Sequence, residues 1–566
     1  MLLTRFFYAV LISFVFFGFS GCDNGDDGSL FTVKTVELTD LQNEYVYFIF
    51  TNPSPVEKAP VAPSVTYNRQ DGRFIESGFQ QISTLIRTAA LPDSGGIIDI
   101  QLWQIAEGLQ PSVENFSRAA GVSFAYEPPS ENVGTAATFR GVSSIDDVLD
   151  IRATCREKIS YDGNTLVIYV ADDCWTDGGS KANLVDGDMV TALVDRFLKS
   201  GGENDIWDWV SDIYGEPWGT PSHSYLIEPG AEDYITILLY DIAGDNSTDG
   251  GIVGFFNPEN NYIKNNSNNS NERLMFAMDA VLYATKSDDS WDDTDYWPQS
   301  VFSTLAHEFQ HMVHYYQKQI VSSAGITDTW LNEMCSLVTE DLLADKIVVP
   351  GPRGVNPPTD GSAALSDNCS STRISTYNYW SDDSLTTWGS EPEDQLISYA
   401  TAYSFGAFLA RNYGGAALFR NIVQNNLTDE RAITEAIAVL GYGDKTFGNL
   451  LSEWAVAVLD SDSVNSTGPT FNTGNFYTSS PFDSDGTGYN LGSVNFYNYY
   501  AEDGTSVGSY MGLIPFGDEN GTFSPVVLGE IPPASNVIFL AGSNLNGDAS
   551  WDVEIPRGMT LKVFRK

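Results

Sequence analysis

Beyond an opening apolar run, short apolar and polar stretches alternate along the first part of the chain. FTVKTVEL at 31–38 and NEYVYFIFTN at 43–52 have the residue types and spacing of strands. The proline-rich piece NPSPVEKAPVAPS at 52–64 interrupts this pattern. GIIDIQLWQI at 96–105 resumes it, and YEPPSENVG at 126–134 reads as a linker. A small β-rich N-terminal domain over 29–130 is expected.

The pattern then changes. NTLVIYVADDC at 164–174 and YITILLYDIAGD at 234–245 are apolar runs of the buried-strand type, and RLMFAMDAVLY at 273–283 is a third. MVTALVDRFLKSG at 189–201 is helical and stops at its glycines. NNYIKNNSNNSNE at 260–272 is a polar loop. Later segments have helical spacing: VFSTLAHEFQHMVHYYQKQ at 301–319, WLNEMCSLVTEDLL at 330–343 and YATAYSFGAFLARNYGG at 399–415. Strands first and helices later predict an α+β fold for residues 131–464. From 465 onward helical spacing disappears. PVVLGEI, NVIFLAG and TLKVFRK read as strands, so 465–566 is expected to be a β-sandwich-like C-terminal domain.

Composition narrows the partners. The 566 residues are 42% hydrophobic and 13% aromatic, which is globular, and the formal net charge is −46. So acidic a surface argues against nucleic acid and anionic membrane surfaces as partners. Residues 1–22 read as a lipoprotein-type export signal: Arg5, an apolar run over 6–19 too short for a comfortable span, then Ser20 and Gly21 before Cys22. Cys22 is the expected lipidation site and the expected sole link to a membrane, with residues 23–28 as an acidic tether. Four further cysteines in an exported chain suggest two disulfides, and Cys155 with Cys174 is the expected local pair. Two acidic loops, 241–251 and 287–295, could bind Ca2+. Neither has EF-hand spacing, and solvated turns are the stronger reading.

Candidate chemistry sits in one helix. The chain has four histidines, and His307, His311 and His314 fall together in HEFQHMVH. Phe302, Ala306, Phe309 and Val313 mark the face expected to meet the core. His307 and His311 lie one turn apart on another face, with Glu308 about 100° around from His307. This is an HExxH pattern, in which two imidazoles hold one Zn2+ and the glutamate acts as general base on water. His314 sits roughly 10 Å along the axis from His307, too far for the same ion. Glu333, 22 residues after His311 (333 − 311), can supply the third ligand from a returning helix. Glu340, on the same helix face as Glu333, can orient a ligand histidine through its other ring nitrogen.

HEFQH followed by WLNEMCS resembles the gluzincin metallopeptidases. More narrowly, the TLAHEFQHMVH helix, the WLNE segment and the export signal resemble the hyicolysin-type neutral zinc metallopeptidase family. The resemblance covers roughly 135–460 and is most specific between 300 and 415. It implies a gluzincin-like domain, a mixed sheet followed by active-site helices, acting on protein or peptide substrates as an endopeptidase. The GxMEN motif of related aminopeptidases is absent. The chain departs from thermolysin-like enzymes in having Leu337 where they carry an aspartate, so the orienting role falls elsewhere, with Glu340 the candidate. Tyr403, in Tyr403-Ser-Phe-Gly406, is similar to the YxxG tyrosine that hydrogen-bonds the oxyanion in gluzincins, and His223 is an alternative donor. By fold analogy, RLMFAMDAV is expected to be the sheet edge on which extended substrate pairs. The alternative reading is a surface adhesin or structural lipoprotein with a vestigial zinc site. The intact His307, Glu308 and His311 argue against it. A zinc hydrolase acting on a non-peptide bond is a third reading. Sequence leaves the oligomeric state open.

Overall fold

A computed structural model describes residues 30–59, 61–67, 99–101, 131–144, 147–199, 204–219, 225–227, 234–264, 269–353, 368–369, 373–463, 466–472, 477–478, 488–496, 499–500, 513–515 and 530–566. The signal, Cys22, the tether and His223 lie outside the described residues. Among the described residues no helix is long and apolar enough to cross a membrane.

The strands in chain order are β1 (Phe31–Asn52), β2 (Ser64–Tyr67), β3 (Asp99–Gln101), β4 (Ala136–Ser144), β5 (Asp147–Tyr161), β6 (Asn164–Ala171), β7 (Tyr234–Tyr240), β8 (Gly251–Phe256), β9 (Met275–Asp279), β10 (Leu513–Pro515), β11 (Ser535–Pro556) and β12 (Thr560–Arg565). Two-residue pairings elsewhere carry no label. The helices are α1 (Gly187–Phe197), α2 (Ile206–Tyr214), α3 (Ala280–Tyr283), α4 (Tyr296–His314), α5 (Thr329–Ile347), α6 (Arg373–Tyr379), α7 (Pro392–Asn412), α8 (Ala416–Gln424), α9 (Glu430–Val439) and α10 (Phe447–Leu459). The fold is α+β, as the spacing predicted.

A seven-stranded mixed sheet runs in the order β3-β8-β9-β7-β6-β5-β4. β6, β7 and β9 are parallel neighbours, and β8 turns antiparallel against β9. The run RLMFAMDAV therefore lies inside the sheet, with β7 on one side and β8 on the other, so it cannot offer the free edge expected of it. β8 itself, GIVGFF, went unread because its glycines and the flanking polar loops mask a six-residue strand. An added Cβ at Gly254 would stand 3.0 Å from Thr304 Cγ2, 2.9 Å from Met278 Sδ and 3.0 Å from the Ala277 carbonyl oxygen. The bare backbone is what lets α4 lie directly on β8.

α4 and α5 differ from the amphipathic helices expected. Every residue from Val301 to His314, and from Thr329 to Ala344, is buried. A helix covered all round must satisfy each polar side chain internally. α4 continues into a π-helical turn over 315–321. There the buried Lys318 ammonium donates to the Ile422 carbonyl and, at 3.1 Å, to Asn425 Oδ1, tying the helix end to α8.

The two flanking β-rich regions share one sheet. β1 pairs antiparallel with β11 and β12, while β2 and β10 join β11. β1 absorbs Asp40 and Asn43 in left-handed backbone (φ 57° and 61°) at register shifts, so two expected strands become one. Along β1, Tyr47 and Ile49 join the main core. Val46, Phe48 and Phe50 form a second core with Val65, Phe539 and Trp551. Asn536 Nδ2 donates to the Leu451 carbonyl at 2.9 Å, seating this sheet on α10.

The expected Cys155–Cys174 disulfide is absent: both thiols are free and buried. Cys155 sits on β5 opposite Tyr169, whereas Cys174 lies beyond the end of β6 in a short 3-10 turn. Cys335 is also free and buried.

Candidate metal centre

α4 and α5 pack side by side and bring five ionisable side chains together. His307 Nε2 and His311 Nε2 stand 3.0 Å apart, with ring planes at 80°. Glu333 Oε2 lies 3.2 Å from His307 Nε2 and 3.5 Å from His311 Nε2. Three donors disposed tetrahedrally about an ion at ~2.05 Å would be ~3.3 Å apart. The observed triangle is close to that, so the three groups fit a zinc ion in donor type and spacing. Among the described residues this is the one group of three such donors.

The other ring nitrogens are held from outside the triangle. His307 Nδ1–H donates to Glu340 Oε1 at 2.8 Å, and Ser303 Oγ–H donates to Glu340 Oε2 at 2.6 Å. Glu340 thus stands where the face arithmetic put it, and Leu337, between it and Glu333, is core. His311 Nδ1–H faces Ser336 Oγ at 3.0 Å and Asn332 Oδ1 at 3.3 Å. In the neutral ring these partners leave Nε2 as the bare nitrogen, the tautomer a metal ligand requires.

Glu308 is fully buried, and neither of its carboxylate oxygens has a side-chain hydrogen-bond partner. Burial pushes its pKa up to about 8; His307 and the Phe256 backbone N–H act against this, and Glu333 adds to it. Burial opposes charge on His307, but Glu333 and Glu340 outweigh it and raise its pKa to about 10. Burial likewise opposes ionisation of Glu333 and Glu340, yet the facing histidines hold both below the ordinary carboxylate value. His311 and His314 are lowered, mainly by burial. Even with Glu308 protonated, the two ionised carboxylates Glu333 and Glu340 carry more negative charge than one imidazolium balances, and a divalent cation at the triangle would offset it.

Several expected residues lie elsewhere. Tyr403 is fully buried on α7 but is not among the groups brought together here. Its charged neighbours are Asp341, Arg411 and Arg353, and its pKa is raised well above the ordinary phenol value, chiefly by burial. Arg411 Nη1 donates to Asp341 Oδ2 at 2.7 Å. α7 meets α5 on the Met334 and Val338 face, as the surroundings of Gly406 show, and that face is about 100–140° around from Glu333. This placement does not carry an oxyanion role for Tyr403. His314 makes no approach to the triangle in the contacts described. Its Nε2 is 3.1 Å from Thr327 Oγ1 and its Nδ1 is 3.4 Å from Gln310 Nε2. In the acidic loops, Asp241 is engaged by Lys181 at 2.6 Å and by the Asn246 N–H, and Asp295 and Asp288 cap their own turn. Among the described residues neither loop gathers three donors at one point.

Sequence reasoning missed Ser303, Asn332, Ser336 and Gln310. The available signal was the polar residue itself, on helices whose apolar side chains turn out to cover every face.

The family model for peptidase M30 matches residues 150–482, more than half of the chain and the stretch that holds the whole cluster. The chain is also similar to the neutral metalloprotease ShpI of Staphylococcus hyicus, at 27% identity over 305 residues. That covers 53% of this chain and 58% of the relative, so the match spans less than two thirds of that protein.

Proposed function

The chain belongs to the peptidase M30 family, and from that premise we propose that it is a zinc-dependent endopeptidase acting on proteins or peptides outside the cytoplasm. The observation that carries this reading is the triangle of His307 Nε2, His311 Nε2 and Glu333 Oε2 beside the buried carboxylate of Glu308, which no other side chain hydrogen-bonds.

His307, His311 and Glu333 would hold the ion. A zinc ion bound there supplies Lewis acidity, polarising a carbonyl and making water easier to deprotonate. Glu308 takes a proton from the attacking water and returns it to the leaving amine. It suits both roles because no side chain hydrogen-bonds its carboxylate and it sits in a dry environment where its proton affinity is high. Glu340 with Ser303, and Asn332 with Ser336, keep the two imidazoles in register.

The test is zinc stoichiometry and casein hydrolysis on the parent and on Glu308→Gln. The expected result is one zinc in both and hydrolysis by the parent, with activity about 10²–10⁴-fold lower in the variant. A folded parent without zinc would remove the mechanism. A zinc-loaded parent inert toward all peptides would favour a binding protein or a hydrolase of other bonds. Export and lipid anchoring at Cys22 form part of the same proposal, supported by the residue pattern of the first 22 positions. Loss of membrane retention in Cys22→Ser is the expected outcome, and retention unchanged would discard the anchor.

A further inference from the structure

The third clustered histidine is left unexplained by the metal triangle. His314 is buried, as are Gln310, Ser336 and Thr327, and the four form a hydrogen-bonded line that begins at His311. Ser336 Oγ is 3.0 Å from His311 Nδ1 and 2.5 Å from Gln310 Oε1. Gln310 Nε2 is 3.4 Å from His314 Nδ1, and His314 Nε2 is 3.1 Å from Thr327 Oγ1.

Each link admits one donor, so the line has a direction. Gln310 can accept only through Oε1 and donate only through Nε2. With its oxygen toward Ser336, the serine hydroxyl donates to Gln310 and leaves a lone pair for His311 Nδ1–H. The Gln310 amide then donates to His314 Nδ1, and His314 Nε2–H donates to Thr327 Oγ1. One other direction is self-consistent, with every donor reversed. It places a proton on His311 Nε2, where His307 and Glu333 converge. The first direction leaves that nitrogen bare for a cation; the second blocks it.

We propose that Gln310, His314 and Thr327 are positioning residues for His311: acting through Ser336, they select the tautomer whose Nε2 is open to the metal. This rests on the metal reading above. Asn332 Oδ1, at 3.3 Å, supports the same tautomer from the other side. Thr327 biases the direction because a buried N–H left without an acceptor is tolerated less than an acceptor left without a donor. Removing the threonine hydroxyl therefore favours the reversed line although Thr327 touches neither His311 nor the triangle in the contacts described.

The experiment uses the full chain with ¹⁵N-labelled histidine and zinc as the probe. Imidazole nitrogen shifts report the tautomers of four histidines, and competition with a chelator gives the zinc affinity. The parent is expected to show His314 protonated at Nε2 and His311 at Nδ1. Gln310→Leu is expected to weaken zinc binding about tenfold, the low end for residues that orient ligands. Thr327→Val should shift affinity in the same direction and move both histidines toward the opposite tautomer, and Thr327→Ser should restore the parent values. Should Gln310→Leu fail to fold, the Thr327 pair still decides. A zinc-binding parent with His314 protonated at Nδ1, or affinities within twofold of the parent in both variants, overturns this inference alone. A folded parent that binds no zinc overturns the metal reading and this inference with it.

Discussion

Glu340 shows how much one side chain can do when a helix is buried all round. It accepts from His307 Nδ1–H and from Ser303 Oγ–H, so both its oxygens are used. Glu340→Ala would leave the imidazole N–H unpaired and free to rotate, and zinc affinity is expected to fall about 10–100-fold. Chelator competition measures this; an affinity within twofold of the parent would show that His307 is held by packing alone. His307, Glu308, His311 and Glu333 were legible because their spacing on two helices is a geometric statement that needs no tertiary knowledge. Glu340 was legible for the same reason, by its common face with Glu333. Asn332, Ser336 and Gln310 were not, because a polar residue on a helix reads as solvent-facing unless the cover on its far side is known. Tyr403 was misplaced because YxxG fixes spacing within α7, while the rotation of α7 against α5 decides which face it meets.

At the scale of elements, the contact of β8 with α4 sets where Glu308 stands. Gly254→Val would drive a side chain into Thr304, Met278 and the Ala277 carbonyl. The expected cost is about 1–3 kcal/mol in urea denaturation, with peptidase activity lowered as α4 lifts. Equal stability would mean the sheet yields without strain. The π-helical end of α4 gives a prediction in pH. Burial lowers the Lys318 pKa from an ordinary 10.5 to about 8. The folded protein therefore holds this proton less tightly than the unfolded chain. The Lys318 contribution is greatest above pH 10.5 and is lost as pH falls toward 8. Stability of the parent relative to Lys318→Met should rise between pH 8 and 10.5; a flat difference would show that the ammonium is not desolvated. β8 escaped sequence reading for a physical reason. Its glycines remove the side chains that mark a strand, and one of them, Gly254, allows the close approach.

Across the whole molecule, the terminal sheet packs a core on each face. Phe48 and Trp551 meet edge to face at 5.3 Å in the smaller core, while Tyr47, Ile49, Ile538 and Leu540 belong to the larger. Trp551→Ala is expected to cost about 3–5 kcal/mol. Because β1 and β11 contribute to both cores, the loss should appear as one shifted transition seen alike by near-ultraviolet circular dichroism and by activity. A separate early transition for the sheet would show that the two cores melt independently. The strands of this sheet were readable one by one, but their partners were not, since alternation states that a strand has two faces and not which strand lies beside it. That pairing also sets a clock. Thr51 donates to Asn536 across 485 positions. At the ribosome's usual 5–20 residues per second, β1 would emerge about 25–100 s before the strand it must join. Through that interval its apolar residues have no native neighbour on either edge. A nascent chain of this design therefore has every reason to depend on a holding factor or on delayed folding during synthesis.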